Sequence, residues 1–321
     1  MKIVIAGLLS TIQDRGRYGY LKSGIGTNGV MDTQAYDTAN ALVGNENGEA
    51  VIETTFMGPA IEFDEECICA ITGADMEPKL DDEPVEMYQP FKILPGQTLS
   101  MGMAVNGFRG YIAFAGGIDV PVVMNSRSTN LKCKIGGYEG RALAKDDILA
   151  IGESSIDESS ILSKSASKPF YENTITARVI EGPQADYFTE EGKQTFYSNE
   201  YEVMLESDRM GFRLEGPEIE NIDGVDIVSD GIAFGAIQVP PSGKPIILLA
   251  DRQTTGGYAK IATVISDDIP KLVQLPLGGK VRFAPVEIEE PLDKPVSIRQ
   301  TADDVSGWRK LWITAKKALK K

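Results

Sequence analysis

The chain contains no histidine. A Ser-His-Asp triad, a Cys-His pair and a His-ligated zinc are therefore excluded within it, and any general base must be a carboxylate, a lysine, a tyrosine or a group from another chain. Cysteine is also scarce: Cys67, Cys69 and Cys133 are three in number, so they cannot all pair with one another. Cys67 and Cys69 stand two apart in an apolar stretch and would share one face of a strand, which reads as buried reduced thiols and not as metal ligands; no metal site is expected. Positive charge falls short of negative, 32 Lys and Arg against 47 Asp and Glu, a net charge of −15. Such a surface repels phosphate backbones and anionic lipid, so neither nucleic acid nor membrane is an expected partner. No apolar run reaches the ~18 residues needed to cross a bilayer. The opening stretch Met1 to Leu9 lacks a charged n-region and a small-residue cleavage site, so it reads as a strand and the expected location is cytoplasmic.

What is present points to strands and turns. The 321 residues include 33 Gly and 17 Pro, and the apolar segments are short, which predicts a mainly β protein with a few short helices. The length suggests two domains. A Ser-rich stretch over 153–169 is too weakly apolar to offset its own ordering and reads as a linker between a β-rich domain at 1–152 and a second at 170–321. Strands are predicted at Ile3–Ile5, Ile68–Ile71, Thr98–Met101, Tyr111–Phe114, Ile148–Ile151, Thr176–Ile180, Ile246–Leu249, Ala262–Ile265 and Lys280–Phe283. A helix is predicted over Thr33–Val43, capped by Asp32 and stopped by Gly44. An amphipathic, Lys-ended helix is predicted over Ser306–Lys320, and weaker helical patterns occur at Gln184–Phe196 and Pro270–Leu275.

Four segments join glycine to charged groups. They are Asp14-Arg15-Gly16-Arg17-Tyr18-Gly19-Tyr20, running on to Gly24, Gly26 and Gly29; Gly116-Gly117-Ile118-Asp119 with Ser126-Arg127-Ser128-Thr129; Ser207-Asp208-Arg209-Met210-Gly211-Phe212-Arg213; and Asp251-Arg252-Gln253-Thr254-Thr255-Gly256-Gly257-Tyr258. Glycine lets a backbone approach a ligand closely, Arg reads carboxylate or phosphate with a planar fork, and Gln and Thr bind amides and hydroxyls. Together they suit a small, polar, planar, anionic substrate, although any one of them also serves as an Asp–Arg brace for a turn. The fourth follows the apolar run Ile246–Leu249, which places it at a strand end. No Gly-Lys-Ser/Thr phosphate loop and no glycine fingerprint opening a helix is present, so a complete nucleotide site within the chain is not expected.

These segments resemble a known family. Asp14-Arg15-Gly16-Arg17, Met31-Asp32, Asn40 and Leu42-Val43-Gly44-Asn45 are similar to the opening of the 5-oxoprolinase C subunits, also called allophanate hydrolase subunit 2, within the biotin-dependent carboxyltransferase family. The likeness recurs at Ala115–Pro121, at Ser126–Thr129, at Ser207–Pro217, and at Gln238-Val239-Pro240-Pro241 through Leu248–Tyr258 to Lys260-Ile261-Ala262. Met124-Asn125 and Leu131-Lys132-Cys133-Lys134 depart from it, standing where smaller or more Gly-rich sequence is expected.

The resemblance implies two cyclophilin-like β-barrel domains. It also implies a protein that opens 5-oxoproline to glutamate with ATP and with A- and B-like partners, inactive alone, with ATP bound across the assembly. In that setting Arg252 or Arg209 would hold a carboxylate or phosphate, Asp251 or Asp208 would act as base or charge partner, and Gln253, Thr254, Gly256 and Gly257 would orient the amide. Thr255, Tyr258, Gln238, Arg213, Arg127, Ser128, Asp14 and Arg17 complete the expected substrate-binding set. Two other readings are carboxyl transfer from carboxybiotin to a urea-like amide, with biotin on another chain, and antagonism of a kinase-inhibitor protein by binding it.

Overall fold

The computed structural model describes residues 1–45, 48–154 and 156–286. Residues Met1–Val286 form one compact unit, and the helix predicted over Ser306–Lys320 lies outside the described residues.

The first half is built from two five-stranded sheets. One runs Lys2–Ile5, Ala60–Glu62, Thr98–Ser100, Lys79–Leu80 and Glu83–Pro84 in spatial order; the other runs Leu9–Gln13, Val51–Thr55, Asn106–Phe114, Cys67–Asp75 and Pro90–Ile93. Their facing sides share a core in which Ile3, Ile61 and Leu99 of the first sheet meet Ile12, Ile52, Ile112 and Phe114 of the second. Side chains alternate along a strand, so Tyr111 and Ala113 point to the opposite face. There they pack beneath helix α1 (Thr33–Leu42), against Ala35, Tyr36 and Ala39. The second sheet is thus covered on both sides, which is why every residue of Val51–Thr55 is buried. Helix α1 begins and ends where its sequence predicts: Asp32 Oδ1 accepts from the Ala35 N–H at 2.9 Å, and Gly44 takes φ +79°.

The Ser-rich segment carries helix α2 (Glu158–Leu162), whose Ile161 is buried in the α1 core. Beyond it a seven-stranded barrel closes in the order Thr174–Glu181, Lys260–Val264, Ala236–Gln238, Ile246–Leu248, Gly211–Glu215, Tyr201–Val203 and Lys280–Pro285. The closure pairs the first and last of these in parallel. Val179, Phe212, Ile237, Ile247, Ile261 and Val281 fill its interior. The pattern at Gln184–Phe196 resolves into a 3-10 turn, Ala185–Tyr187, and helix α3 (Glu190–Ser198). The break between them is Thr189, whose hydroxyl caps α3 by accepting from the Gly192 N–H at 2.9 Å. Phe196 of α3 stacks on Phe283 with centroids 4.5 Å apart. Helix α4 (Ile269–Leu272) starts with a proline in its first turn. A two-stranded ribbon, Asp226–Gly231 with Thr255–Tyr258, stands beside the barrel.

The mainly β architecture read from the sequence is therefore present. The thiols also behave as their spacing suggests. Cys69 is fully buried and Cys67 packs against the same core. Burial pushes the Cys67 thiol up to about 12 and Cys69 well above its usual value. Cys133 is free and exposed.

Candidate functional site

Asp14 follows the strand Leu9–Gln13 and ties two of the glycine-charged segments together. Its Oδ1 accepts from the Gly16 N–H at 2.8 Å, the Ser126 hydroxyl at 2.7 Å and the Ser128 hydroxyl, and its Oδ2 accepts from the Arg127 N–H. Arg17, with no exposed surface, donates through Nε to the Val123 carbonyl at 3.0 Å and through Nη2 to the Ser128 carbonyl at 2.8 Å. Burial holds its pKa down, with the Asp14 carboxylate opposing. Asp14, Arg17 and Ser128 are thus brought together, and their polar groups shape this loop pair. The Arg127 side chain turns outward, 3.6 Å from Glu49, and lines a cavity of about 230 Å³ with Arg15, Asn125 and Ser126. Met124, Asn125 and Lys134, where the sequence departs from the family it resembles, take φ of +53°, +60° and +56°. The loop keeps the left-handed turns that glycine would favour and bears their strain with larger side chains.

The second group lies between the two halves. Arg209 is 3% exposed. Its Nε donates to Asp251 Oδ2 at 2.9 Å, its Nη2 to Asp251 Oδ1 at 3.1 Å and the Gly29 carbonyl at 2.7 Å, and its Nη1 to Glu53 Oε1. Glu53 Oε2 accepts from the Met31 N–H at 2.7 Å and the Tyr111 hydroxyl at 2.9 Å. Burial alone lowers the Arg209 pKa; Asp251 and Glu53 more than reverse this, and the net shift is upward. Asn28 extends the network, donating through Nδ2 to Asp251 Oδ1 at 2.7 Å and accepting through Oδ1 from Asn130 Nδ2 at 2.8 Å. A second clasp is Gln274. Its Oε1 accepts from the Phe108 and Arg109 N–H groups, and its Nε2 donates to the Arg109 carbonyl and to Asp32 Oδ2, each at 2.9 Å.

Arg209 and Asp251 therefore meet as the sequence suggested, with Arg209 occupied in joining the halves. Asp208 braces its own turn by accepting from the Met210 N–H at 2.7 Å. Arg213 stands exposed on the outer face of the strand Gly211–Glu215, between buried Phe212 and Leu214, apart from the other candidates.

The third group is the segment after Asp251. Arg252 is half-buried, donating through Nε to the Ile232 carbonyl at 3.0 Å and through Nη1 to the Leu249 carbonyl at 3.2 Å, with its guanidinium 5.5 Å from the Phe234 ring centroid. Burial holds its pKa down, with Tyr18 and Asp251 opposing. Gln253 is exposed. Thr254 accepts through its carbonyl from the Ile232 N–H at 3.2 Å, and Thr255, Gly256 and Tyr258 pair with Gly231, Asp230 and Asp226 in the ribbon. Gly256 lies against Gln238: a Cβ there would stand 2.6 Å from Gln238 Nε2 and 2.8 Å from Ile232 Cδ1, so a larger residue would push these side-chain ends aside. The Gly-rich loop reaches this group as well, since a Cβ on Gly26 would stand 3.4 Å from the Arg252 carbonyl.

Sequence reasoning missed Glu53, Asn28, Asn130, Gln274 and Lys260. The available signal was a charged or amide residue inside an apolar run, as in Val51-Ile52-Glu53 or Ala259-Lys260-Ile261. Such a residue must find a partner once buried. Where the halves meet, the buried Asn28 and Asn130 amides and the Asp251 carboxylate are paired with one another and with Arg209, and the half-buried Arg252 lies in the turn that follows Asp251.

Comparison with known proteins agrees with this architecture. Residues 23–285 match the family described as carboxyltransferase domain, subdomain A and B. The chain is 39% identical over 292 residues to the C subunit of 5-oxoprolinase from Escherichia coli, covering 91% of this chain and 93% of that protein. It is 38% identical to the C subunit of 5-oxoprolinase from Haemophilus influenzae, covering 88% and 89%. The structure of the K. lactis urea amidolyase superimposes with a TM-score of 0.81 at 28% identity over 89% of this chain, which spans 18% of that longer protein. The chain therefore belongs to the carboxyltransferase domain family of subdomains A and B.

Proposed function

We propose that this chain is the C subunit of an ATP-dependent 5-oxoprolinase that opens 5-oxoproline to glutamate, acting in the cytoplasm with A- and B-like subunits and inactive alone. The observation that carries this reading is the near end-to-end correspondence with two proteins named as 5-oxoprolinase C subunits. The chemistry is consistent with it. A lactam carbonyl is a weak electrophile, and ATP bound at the complex supplies the phosphoryl group that activates its oxygen. The Gly24–Gly26 loop follows a 3-10 turn and continues without regular structure. It does not fit the helix-N-terminus cradle that binds a polyphosphate, so no step through ATP is assigned to this chain. Its own residues would position the lactam: Asn28 and the Gly256–Gly257 backbone against the amide, Asp251 as acceptor of a proton, and Arg252 beside developing negative charge.

The test is to mix the chain with its A- and B-like partners and measure glutamate and phosphate released from 5-oxoproline and ATP. The complete mixture is expected to turn over and the lone chain to be inactive. Arg252→Ala is expected to slow the mixture at least about tenfold, the cost of one lost charged hydrogen bond. Turnover by the lone chain, or none by the complete mixture, overturns the proposal. The urea amidolyase likeness favours a second reading, carboxyl transfer from carboxybiotin carried on another chain. Carboxylation of urea by the chain with a biotin carboxylase and carrier would support that reading.

A further inference from the structure

Lys260 is the first residue of a barrel strand, registered opposite Gln238. Its side chain is only 4% exposed. Among the described residues its Nζ has no hydrogen-bond partner. An ammonium group carries three donors, and taking it out of water unsatisfied costs several kcal/mol. Its counter-charge is Asp230, whose carboxylate comes within 3.3 Å without lining up as a hydrogen-bond acceptor. A lysine retained only for that ion pair would direct an N–H at the carboxylate.

Asp230 belongs to a different kind of structure. Its side chain is 55% exposed, and it lies on the ribbon strand Asp226–Gly231, where the register with Thr255–Tyr258 slips between Asp226 and Asp230. Val228 of that strand is 94% exposed, while Ile227 beside it packs on the barrel core. The Asp230 carboxyl is held below the usual range first by the Gly231 N–H and then by Lys260, so it is ionised. Two glutamines lie on the neighbouring segments, and Gln238 Nε2 donates to the Tyr258 carbonyl at 3.3 Å. Gln184 Oε1 accepts from the Lys260 N–H at 3.3 Å, Gln238 is 6% exposed, and the Gly256–Gly257 backbone adds no side chain.

We propose that Lys260 is the anion-binding residue of this site, and that Asp230 is an internal stand-in which the carboxylate of a small substrate displaces. The ribbon moves aside, the ligand carboxylate takes the ammonium donors, and Gln238 and Gln184 offer amide hydrogen bonds to the rest of the molecule. The identity of the ligand as a carboxylate-bearing lactam rests on the 5-oxoprolinase reading; the anion site itself does not.

The closing experiment uses the chain alone, without turnover, so its failure and the failure of the 5-oxoprolinase assignment are separate events. Saturable stabilisation by acetate, and in a second arm by inorganic phosphate, is measured by thermal-shift titration at fixed ionic strength. Asp230→Asn is expected to bind acetate about tenfold more tightly than the natural chain, equivalent to about 1.4 kcal/mol, and Lys260→Met is expected to lose saturable binding. Tighter binding of phosphate in place of acetate would keep the anion site and reassign its occupant to a phosphoryl group. The proposal is overturned if Asp230→Asn binds neither anion more tightly than the natural chain, a result that stands even if Lys260→Met does not fold. It is overturned equally if a folded Lys260→Met binds as the natural chain does.

Discussion

Arg209 and Lys260 are both buried cations, each 3% exposed, yet one has every side reached by an acceptor and the other has none aligned. Arg209 sits where two rigid halves meet. Glu53 comes from a strand buried on both faces, Asp251 from a turn at the barrel end, and the Gly29 carbonyl from the loop between them. Lys260 sits beneath an exposed ribbon and faces one half-exposed carboxylate. The planar guanidinium fork suits a fixed constellation of acceptors, and the compact ammonium suits an exchangeable one. A buried charge whose partners are fixed holds structure together; one whose partner is replaceable is available to a ligand.

The contrast is tested most severely by Arg209→Met. It leaves Glu53 and Asp251 buried without their cation and is expected to cost about 3–5 kcal/mol of stability, read from urea unfolding. A loss below about 1 kcal/mol would show that Arg209 does not clasp the halves together.

Asp32 lies between the two extremes: a buried carboxylate that is hydrogen-bonded, by Ala35 and Gln274. Burial pushes its pKa up to about 6 from 3.8, with the Ala35 and Gln274 hydrogen bonds opposing. The folded chain therefore holds this proton more tightly than the unfolded chain. Its contribution to stability is fullest below the unfolded value and is lost as pH rises through about 6. The stability difference between Asp32→Asn and the natural chain should shift by about 2 kcal/mol in favour of the variant between about pH 4 and pH 6. Unfolding curves that keep a constant separation across that window would show that the carboxyl is not perturbed.

Lys260→Met should be the mildest of the three. The long apolar replacement occupies the space of the buried lysine stem and the half-exposed Asp230 returns to water, so stability should change by less than about 1 kcal/mol. A loss matching that of Arg209→Met would place Lys260 among the structural cations and erase the distinction.

Much of this was legible along the chain. Short apolar segments bounded by turn residues pointed to the strands, and Asp32 and Gly44 bounded α1 because capping is a local interaction. The glycine-charged segments were legible as places where polar groups gather, and Asp14, Arg17 and Ser128 do meet, as do Arg209 and Asp251. Their employment was not. Arg209 reads as a substrate clamp until Glu53, 156 positions away, is found beside it. Asn28 and Asp251, 223 positions apart, and Asp32 and Gln274, 242 apart, carry no mutual signal in a single sequence.

Residue types and short spacings were enough to establish the β character of the chain, the exclusion of histidine chemistry, the first helix with its cap, and the family to which its motifs point. Over a few positions sterics and hydrogen bonding act locally, so the order of residues carries that information directly. Which buried charges are neutralised and which are left without an aligned partner emerged only from the folded chain, because desolvation and charge pairing depend on which distant segments pack against one another.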